Sequence, residues 1–290
     1  MVYKTSELVE AINCLSQFLS NEENRDETSL LQLINVSTSQ APHAIVLCAS
    51  AILSVAENVL SACRKIPQTS HPIVLVLCGG FGHSTQLMHD AIAAHPRFHV
   101  LADQLKGLAE ARMLEEVARE FYGINTTDSQ TLPPGLSVLV EDESTNCGSN
   151  ASNSRRVLEQ HGVRSPQSIT IAQDPTMSRR TKATFEQVYA GETPPRILSW
   201  PTFVPQVVSG HDAAPFEYSS DGLSNKQVPG LWDRERFLSL LVGEIPRLRD
   251  DAEGYGPKGR GYIGHVEIPD DVEAAWRIVS KYVEPRIALG

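Results

Sequence analysis

The feature that most constrains this chain is a series of short, almost wholly apolar segments that alternate with helix-like segments. They are Ala44 to Cys48, Ile73 to Cys78, Leu136 to Val140, Ile169 to Ala172 and a fifth candidate, Arg196 to Trp200. Such runs are typical of strands buried on both faces of a parallel sheet. The helix-like segments supply the crossovers that parallel strands need. The pattern predicts an α/β fold: a Rossmann-like, doubly wound, mainly parallel sheet with helical N- and C-terminal additions.

The same alternation divides the chain into three parts. Residues 43–210 carry the strand-and-helix pattern and form the predicted Rossmann-like core. Residues 1–42 contain apolar residues at helical spacing and no strand pattern, so we expect an N-terminal helical segment. After residue 210 the sequence becomes polar and contains glycine and proline, and further along the chain apolar residues again recur at helical spacing. We expect residues 211–290 to be a C-terminal helical cap packed on the core.

Charge and composition narrow the choice of partner. Among 290 residues, 35 are Asp or Glu and 25 are Lys or Arg, giving a net charge of −10. Nucleic acids and anionic membrane surfaces attract the opposite charge. The apolar stretches are shorter or more interrupted than the roughly 20 residues of a membrane span, and no signal-peptide pattern is visible. Five cysteines without a Cys-x-x-Cys motif disfavour a disulfide framework and a structural zinc site. We expect a cytoplasmic protein with a small-molecule partner, and self-association stays open.

Candidate site residues follow from the rule that ligands of open parallel sheets bind beyond the carboxyl ends of the strands. The second apolar run is followed by the sequence GGFGHST at residues 79–85. Glycine lets the backbone approach a ligand, and the helix that follows presents free N–H groups to an anion. A tight strand-to-helix turn without a ligand explains the same residues. The candidates in this turn are Gly79, Gly80, Gly82, His83 and Ser84.

The third run is followed by the acidic sequence EDESTNCGSN at residues 141–150. Carboxylates here would bind a ribose hydroxyl, an ammonium group or a hydrated divalent ion, and capping of the next helix by Ser144 or Thr145 is the alternative. No histidine or second carboxylate cluster has metal-ligand spacing, so we expect no dedicated metal site. Cys147 would be either a nucleophile at a helix N-terminus or a packing thiol. The ligand-binding candidates are Glu143, Ser144, Thr145, Asn146 and Asn150.

The fourth run is followed by QDPTMSRR at residues 173–180, in which the proline suits a first helical turn. A guanidinium one turn into that helix would hold a carboxylate or phosphate with two hydrogen bonds. A salt bridge on an acidic protein is the alternative interpretation. The candidates here are Gln173, Asp174, Thr176 and Arg179.

These motifs together resemble the YdcF branch of the YdcF/SanA/ElyC family. The resemblance is carried by the segments 79–85, 110–111, 143–151 and 173–181, and by the tail segments 230–232, 238–241 and 246–257. It runs from about residue 43 to the end of the chain, with a weaker helical match before it. Several motifs in one order over most of the chain make it specific.

The resemblance implies a Rossmann-like domain with an acidic pocket at the strand ends that binds S-adenosylmethionine (SAM). Carried over by position, the pocket residues are Gly79, Gly80, Glu110, Glu143, Asn146, Asn150 and Arg179. Glu110 and Glu143 are the candidate catalytic residues. Two positions depart from the pattern, since Ala49 stands where relatives commonly have glycine and Thr176 stands nearest a histidine of SanA- and ElyC-type members.

The first functional hypothesis is an enzyme that binds SAM or a nucleotide-type ligand and transfers a group from it, in a reaction not yet defined. Group transfer from a sulfonium needs orientation more than acid–base residues. In this hypothesis Arg179 binds the carboxylate of the ligand and Glu143 its ammonium. The alternatives are a non-catalytic binding or sensor protein and a metal-assisted phosphoester or nucleotide-sugar hydrolase. The fold alone does not separate them, because function belongs to the site.

Overall fold

The core of the molecule is a five-stranded, all-parallel sheet, which confirms the predicted α/β fold. We describe it from a computed structural model, over residues 5–24, 26, 28–30, 32, 41–66, 72–126, 132–191, 193–211, 214–219 and 230–283. The strands are β1 (His43–Cys48), β2 (Ile73–Cys78), β3 (Leu136–Glu141), β4 (Ser168–Ala172) and β5 (Arg196–Ser199). Their order is β3-β2-β1-β4-β5. The direction of winding therefore reverses between β1 and β4, where open α/β sheets bind ligands.

Helices connect the strands and cover both faces of the sheet. They are α1 (Thr5–Ser20), α2 (Leu53–Arg64), α3 (Thr85–Ala94), α4 (Ala102–Leu105), α5 (Glu110–Tyr122), α6 (Cys147–Gln160), α7 (Ser178–Val188), α8 (Arg234–Leu248) and α9 (Asp270–Val279), with 3₁₀ turns at Phe98–Leu101 and Ser280–Tyr282. Helix α5 begins at Glu110 and does not extend back through Gly107. Gly107 adopts a φ of 79°, a left-handed conformation that interrupts a right-handed helix.

The unbroken apolar character of the strands reflects burial on both faces. In β1, Ile45 and Leu47 belong to the larger hydrophobic cluster, whereas Val46 and Cys48 belong to a second one on the opposite face. Helices α6 and α7 cover the second cluster, and the remaining long helices cover the first. Alternate side chains of a strand point to opposite faces, so both sets must be apolar.

The terminal helices pack on the larger cluster instead of forming a separate core. Leu15 of α1, Leu241 of α8 and Val279 of α9 are all fully buried in it. A two-stranded antiparallel sheet, β6 (Val207–Ser209) and β7 (Phe216–Tyr218), contributes Val207 and Phe216 to the same cluster. Across the described ranges, no helix is both long and apolar enough to cross a membrane.

Candidate functional site

A cavity of about 120 Å³ lies at the carboxyl ends of the parallel strands. We call its larger side the sheet wall, formed by the lining residues within 49–51, 79–84, 144–150 and 173–177 together with Glu110. We call the opposite side the cap wall, formed by Trp232, Arg236 and Leu240. The cavity sits in the crevice that the strand order predicts as a ligand site.

The glycine turn after β2 brings three chain segments into backbone contact. Gly80 donates its N–H to the carbonyl of Ser144 at 2.9 Å, and its own carbonyl accepts from the N–H of Glu110 at 3.0 Å. A Cβ on Gly80 would lie 2.3 Å from the Ser144 carbonyl oxygen, and one on Gly79 would lie 2.9 Å from the Cβ of Ala49. These two glycines are therefore required for close packing of the sheet wall, whatever they do for a ligand.

Glu110 places a buried carboxylate in the sheet wall. It is the first residue of α5, and its Oε1 accepts hydrogen bonds from the hydroxyls of Ser84 and Thr85, both at 2.9 Å. Burial raises the pKa of the Glu110 carboxyl, and the two hydroxyls oppose that shift only in part. The spacing of apolar residues predicts only that Glu110 is an ordinary glutamate of a helix. The family resemblance is what identifies it as a site residue.

Asp174 supplies a second buried carboxylate where β4 ends. Its Oδ1 accepts from the backbone N–H and hydroxyl of Thr176 at 2.9 and 2.7 Å. Its Oδ2 accepts from the indole N–H of Trp232 at 3.1 Å, which links the sheet wall to the cap wall. Burial raises the pKa of Asp174, against the lowering effects of Thr176, Trp232 and the charge of Arg236.

The two carboxylates share one electrostatic property. Within the part of the chain that the structure describes, neither Glu110 nor Asp174 forms a salt bridge. Arg236 is the one basic side chain among the described residues that line the cavity. The cavity is therefore acidic on its sheet wall, with a single guanidinium on its cap wall.

The acidic segment after β3 is organised by Glu141, which the sequence analysis did not select. Its buried Oε1 accepts from the backbone N–H groups of Glu143 and Ser144 at 3.0 and 2.9 Å. The residue that caps α6 is Asn146, whose Oδ1 accepts from the N–H of Ser149 at 3.0 Å, and not Ser144 or Thr145 as the capping alternative expected. Glu143 itself does not line the cavity: its side chain is 67% exposed and pairs with Arg156.

The predicted cation of the fourth-strand motif also lies elsewhere. Arg179 donates from Nε to the carbonyl of Phe18 at 2.6 Å, and its guanidinium lies 3.9 Å from the Phe18 ring centroid. It faces a groove between α1 and α9, outside the cavity. Its neighbour Arg180 holds the buried carboxylate of Glu244 with two hydrogen bonds, at 2.5 and 3.1 Å. The roles expected for Glu143 and Arg179 therefore need correction, because both side chains point away from the cavity.

The structure brings most of the other predicted residues together. The predicted residues that line the cavity are Gly79, Gly80, Gly82, Ser84, Glu110, Ser144, Thr145, Asn146, Asn150, Gln173 and Asp174. Thr176 is buried behind Asp174 and supports it. His83 lines an adjoining open groove with Phe81 and Thr85, and this groove shares Gly82, Thr145 and Asn146 with the cavity.

Sequence reasoning missed the cap wall. Trp232, Arg236 and Leu240 follow a polar stretch in which no strand end marks a ligand site. The signals for this wall were the segments 230–232 and 238–241 of the family resemblance, which contain Trp232 and Leu240. Cys147 also lines the cavity as a buried thiol, with the hydroxyl of Thr181 at 3.8 Å from its sulfur.

Comparison with known protein families supplies no assignment. No family model matches the chain. Nor do three or more His, Cys, Asp or Glu side chains meet as a metal-binding group anywhere in the described ranges.

Proposed function

We propose that this chain belongs to the YdcF branch of the YdcF/SanA/ElyC family. We further propose that its strand-end cavity binds SAM as the donor in a group-transfer reaction. The observation that carries the proposal is the pair of buried carboxylates, Glu110 and Asp174, which lack salt-bridge partners among the described residues. Buried charges in proteins are normally paired. A ligand with cationic centres, such as a sulfonium and an ammonium, would supply the missing partner.

The size of the cavity supports an elongated ligand that is only partly enclosed. Its volume of about 120 Å³ is below the roughly 300–1,000 Å³ of pockets that enclose drug-sized molecules. The groove beside it begins at Gly82, Thr145 and Asn146, and it presents the 56% exposed ring of Phe81. We propose that the charged end of SAM occupies the cavity and that its nucleoside end extends along this groove.

The charge of the sheet wall favours SAM over a phosphorylated nucleotide. Phosphate oxygens would face Glu110 and Asp174. Placing like charges close together at a protein interface costs several kcal/mol of binding free energy, and we expect a similar cost in this partly dry site. The same carboxylates attract a sulfonium. Enclosing the donor orients its transferable group, which is the main requirement of transfer from a sulfonium.

The test is isothermal titration calorimetry with SAM and with S-adenosylhomocysteine, which lacks the sulfonium charge. We expect SAM to bind the protein more tightly, by about tenfold, because only SAM places a sulfonium against the carboxylates. Glu110→Gln should remove most of that preference. Glu120→Gln is the matched control, since Glu120 lies on the same helix, is exposed and pairs with Arg119. Equal affinity for both ligands, or no binding of either, would contradict the proposal.

The raised pKa of Glu110 gives the same experiment a second readout. As the pH falls through that raised pKa, the carboxyl takes up a proton and loses its attraction for a cation. SAM affinity should therefore fall on acidification, and this dependence should be weaker in Glu110→Gln. Incubation with SAM followed by mass spectrometry of the released product then separates transfer from binding alone.

A further inference from the structure

Arg236 is a half-buried cation that faces the cavity from the first turn of α8. No carboxylate lies within salt-bridge distance of its guanidinium, and its side chain makes no hydrogen bond, as far as the described residues extend. Two arginines further along the cap are paired. Arg247 contacts Glu244 at 3.0 Å, and Arg249 holds Glu273 with two hydrogen bonds of 2.8 Å. Arg236 is thus directed toward a ligand instead of a protein carboxylate.

The sign of the charges around Arg236 restricts what that ligand can be. Its charge acts on Asp174, the carboxylate that Trp232 holds at the junction of the two walls. A doubly charged phosphate would be attracted by the guanidinium of Arg236, but it would be repelled by the carboxylates of Asp174 and Glu110. A carboxylate next to an ammonium satisfies all three groups, because its two charges match the two signs in the cavity. A guanidinium also fits a carboxylate with two parallel hydrogen bonds.

We infer that Arg236 binds the carboxylate of an α-amino acid group, and that Asp174 or Glu110 binds the ammonium of the same group. The inference rests on the proposed function and deepens it, since SAM ends in such a group. It assigns to the cap wall the role that the fourth-strand motif suggested for Arg179. It also makes Arg236 a specificity-determining residue, because ligands without a carboxylate would lose its contribution.

The test compares SAM with decarboxylated SAM, which keeps the sulfonium, the nucleoside and the amine but lacks the carboxylate. Calorimetric affinities are measured for the wild-type protein, Arg236→Gln and Arg234→Gln. Arg234 is the matched control, because it is an exposed arginine in the same helical turn and does not line the cavity. We expect Arg236→Gln to weaken SAM binding by about tenfold or more and to leave decarboxylated SAM within about twofold. Arg234→Gln should change neither affinity.

The outcomes separate this inference from the proposed function. If the wild-type protein binds SAM but Arg236→Gln weakens both ligands equally, Arg236 shapes the cavity and does not contact a carboxylate. If Arg236→Gln changes neither affinity, the inference is wrong and SAM binding still stands. If the wild-type protein binds neither ligand, the proposed function fails and the inference fails with it. Arg236→Lys keeps the charge without the two-pronged geometry, so an intermediate loss for SAM alone supports the inference a second time.

Discussion

The two walls of the cavity are built in different ways. The sheet wall is assembled by backbone contacts between loops that follow adjacent strands, as when Gly80 bonds to Ser144. The cap wall is held by side chains that are distant in sequence, as when Trp232 donates to Asp174, 58 residues away. The sheet wall provides the two carboxylates, whereas the cap wall provides the guanidinium and an indole. The shape of this site therefore depends on the sheet, and its charge balance depends on the cap.

The cap wall also has its own means of attachment. The Trp232 ring stacks on Phe237 with centroids 5.1 Å apart and lies 6.4 Å from Phe203. Below this aromatic cluster, the buried pair of Arg180 and Glu244 joins α7 of the core to α8 of the cap. Loss of either attachment should open the cap wall while the sheet wall keeps its backbone contacts.

The largest expected effect comes from Glu244→Ala, which leaves Arg180 buried without its partner. Breaking a buried pair from one side costs about 3–5 kcal/mol. Urea unfolding should show that loss, and SAM affinity should fall as the cap wall loosens. The double variant Arg180→Met, Glu244→Leu removes both charges and should recover most of the stability. A double variant as unstable as Glu244→Ala would show that the pair does not account for the loss.

The next effect tests the sheet wall through Gly80→Ala. The new Cβ would meet a backbone oxygen at 2.3 Å, so the loop after β3 must move. We expect a loss of about 1–3 kcal/mol in unfolding free energy, as for other overpacked sites, together with weaker ligand binding. Gly82→Ala is the comparison, because its Cβ would lie 3.2 Å from the carbonyl oxygen of Thr145, a contact that a shift of a few tenths of an ångström relieves. Equal losses in the two variants would contradict the close contact at Gly80.

The junction between the walls is tested by Trp232→Phe, which keeps an aromatic ring but removes the N–H bound to Asp174. The folded state takes up a proton on Asp174 more readily than the unfolded chain does, so its stability falls as the pH rises through the raised pKa. Without the Trp232 N–H that pKa rises further. The substitution should lower the free energy of unfolding by about 1–3 kcal/mol at neutral pH, and this loss should become smaller as the pH is lowered.

Trp276→Phe is the matched control for this pH dependence. The indole of Trp276 donates to the backbone carbonyl of Val242 at 2.9 Å, a group that does not titrate. Removal of this hydrogen bond should lower the free energy of unfolding by the same amount at every pH. Urea unfolding of both variants across the acidic range measures the difference. A pH-independent cost for Trp232→Phe would show that the ionised form of Asp174 is not what Trp232 stabilises.

The smallest effects are expected outside both walls, at Glu143 and Arg179. Glu143 forms an exposed ion pair, and such pairs contribute about 0–1 kcal/mol. Arg179 contacts Phe18 on the far side of α7. Calorimetry with Glu143→Gln and Arg179→Gln should give wild-type SAM affinities. A loss of tenfold or more in either variant would restore the ligand contact that these residues were first expected to make.

Sequence reasoning recovered the sheet wall because chain connectivity determines it. A residue directly after a buried strand must lie at the end of that strand, and this places Gly79, Ser144 and Asp174 at one edge of the sheet. The rotation of a helix about its axis is not determined in this way. Arg179 and Arg180 are adjacent, yet one faces the groove beside α1 and the other is buried against Glu244.

The sequence by itself determined the parallel sheet, the loops that end its strands and the acidic character of the site. Those features depend on local patterns: unbroken apolar runs, glycine turns and carboxylates next to strand ends. Only the tertiary structure decided that Arg236 and Trp232 complete the cavity and that Glu143 and Arg179 do not. The physical reason is that the cap is positioned by aromatic packing and a buried ion pair between distant segments, and no local pattern encodes which of their side chains meet.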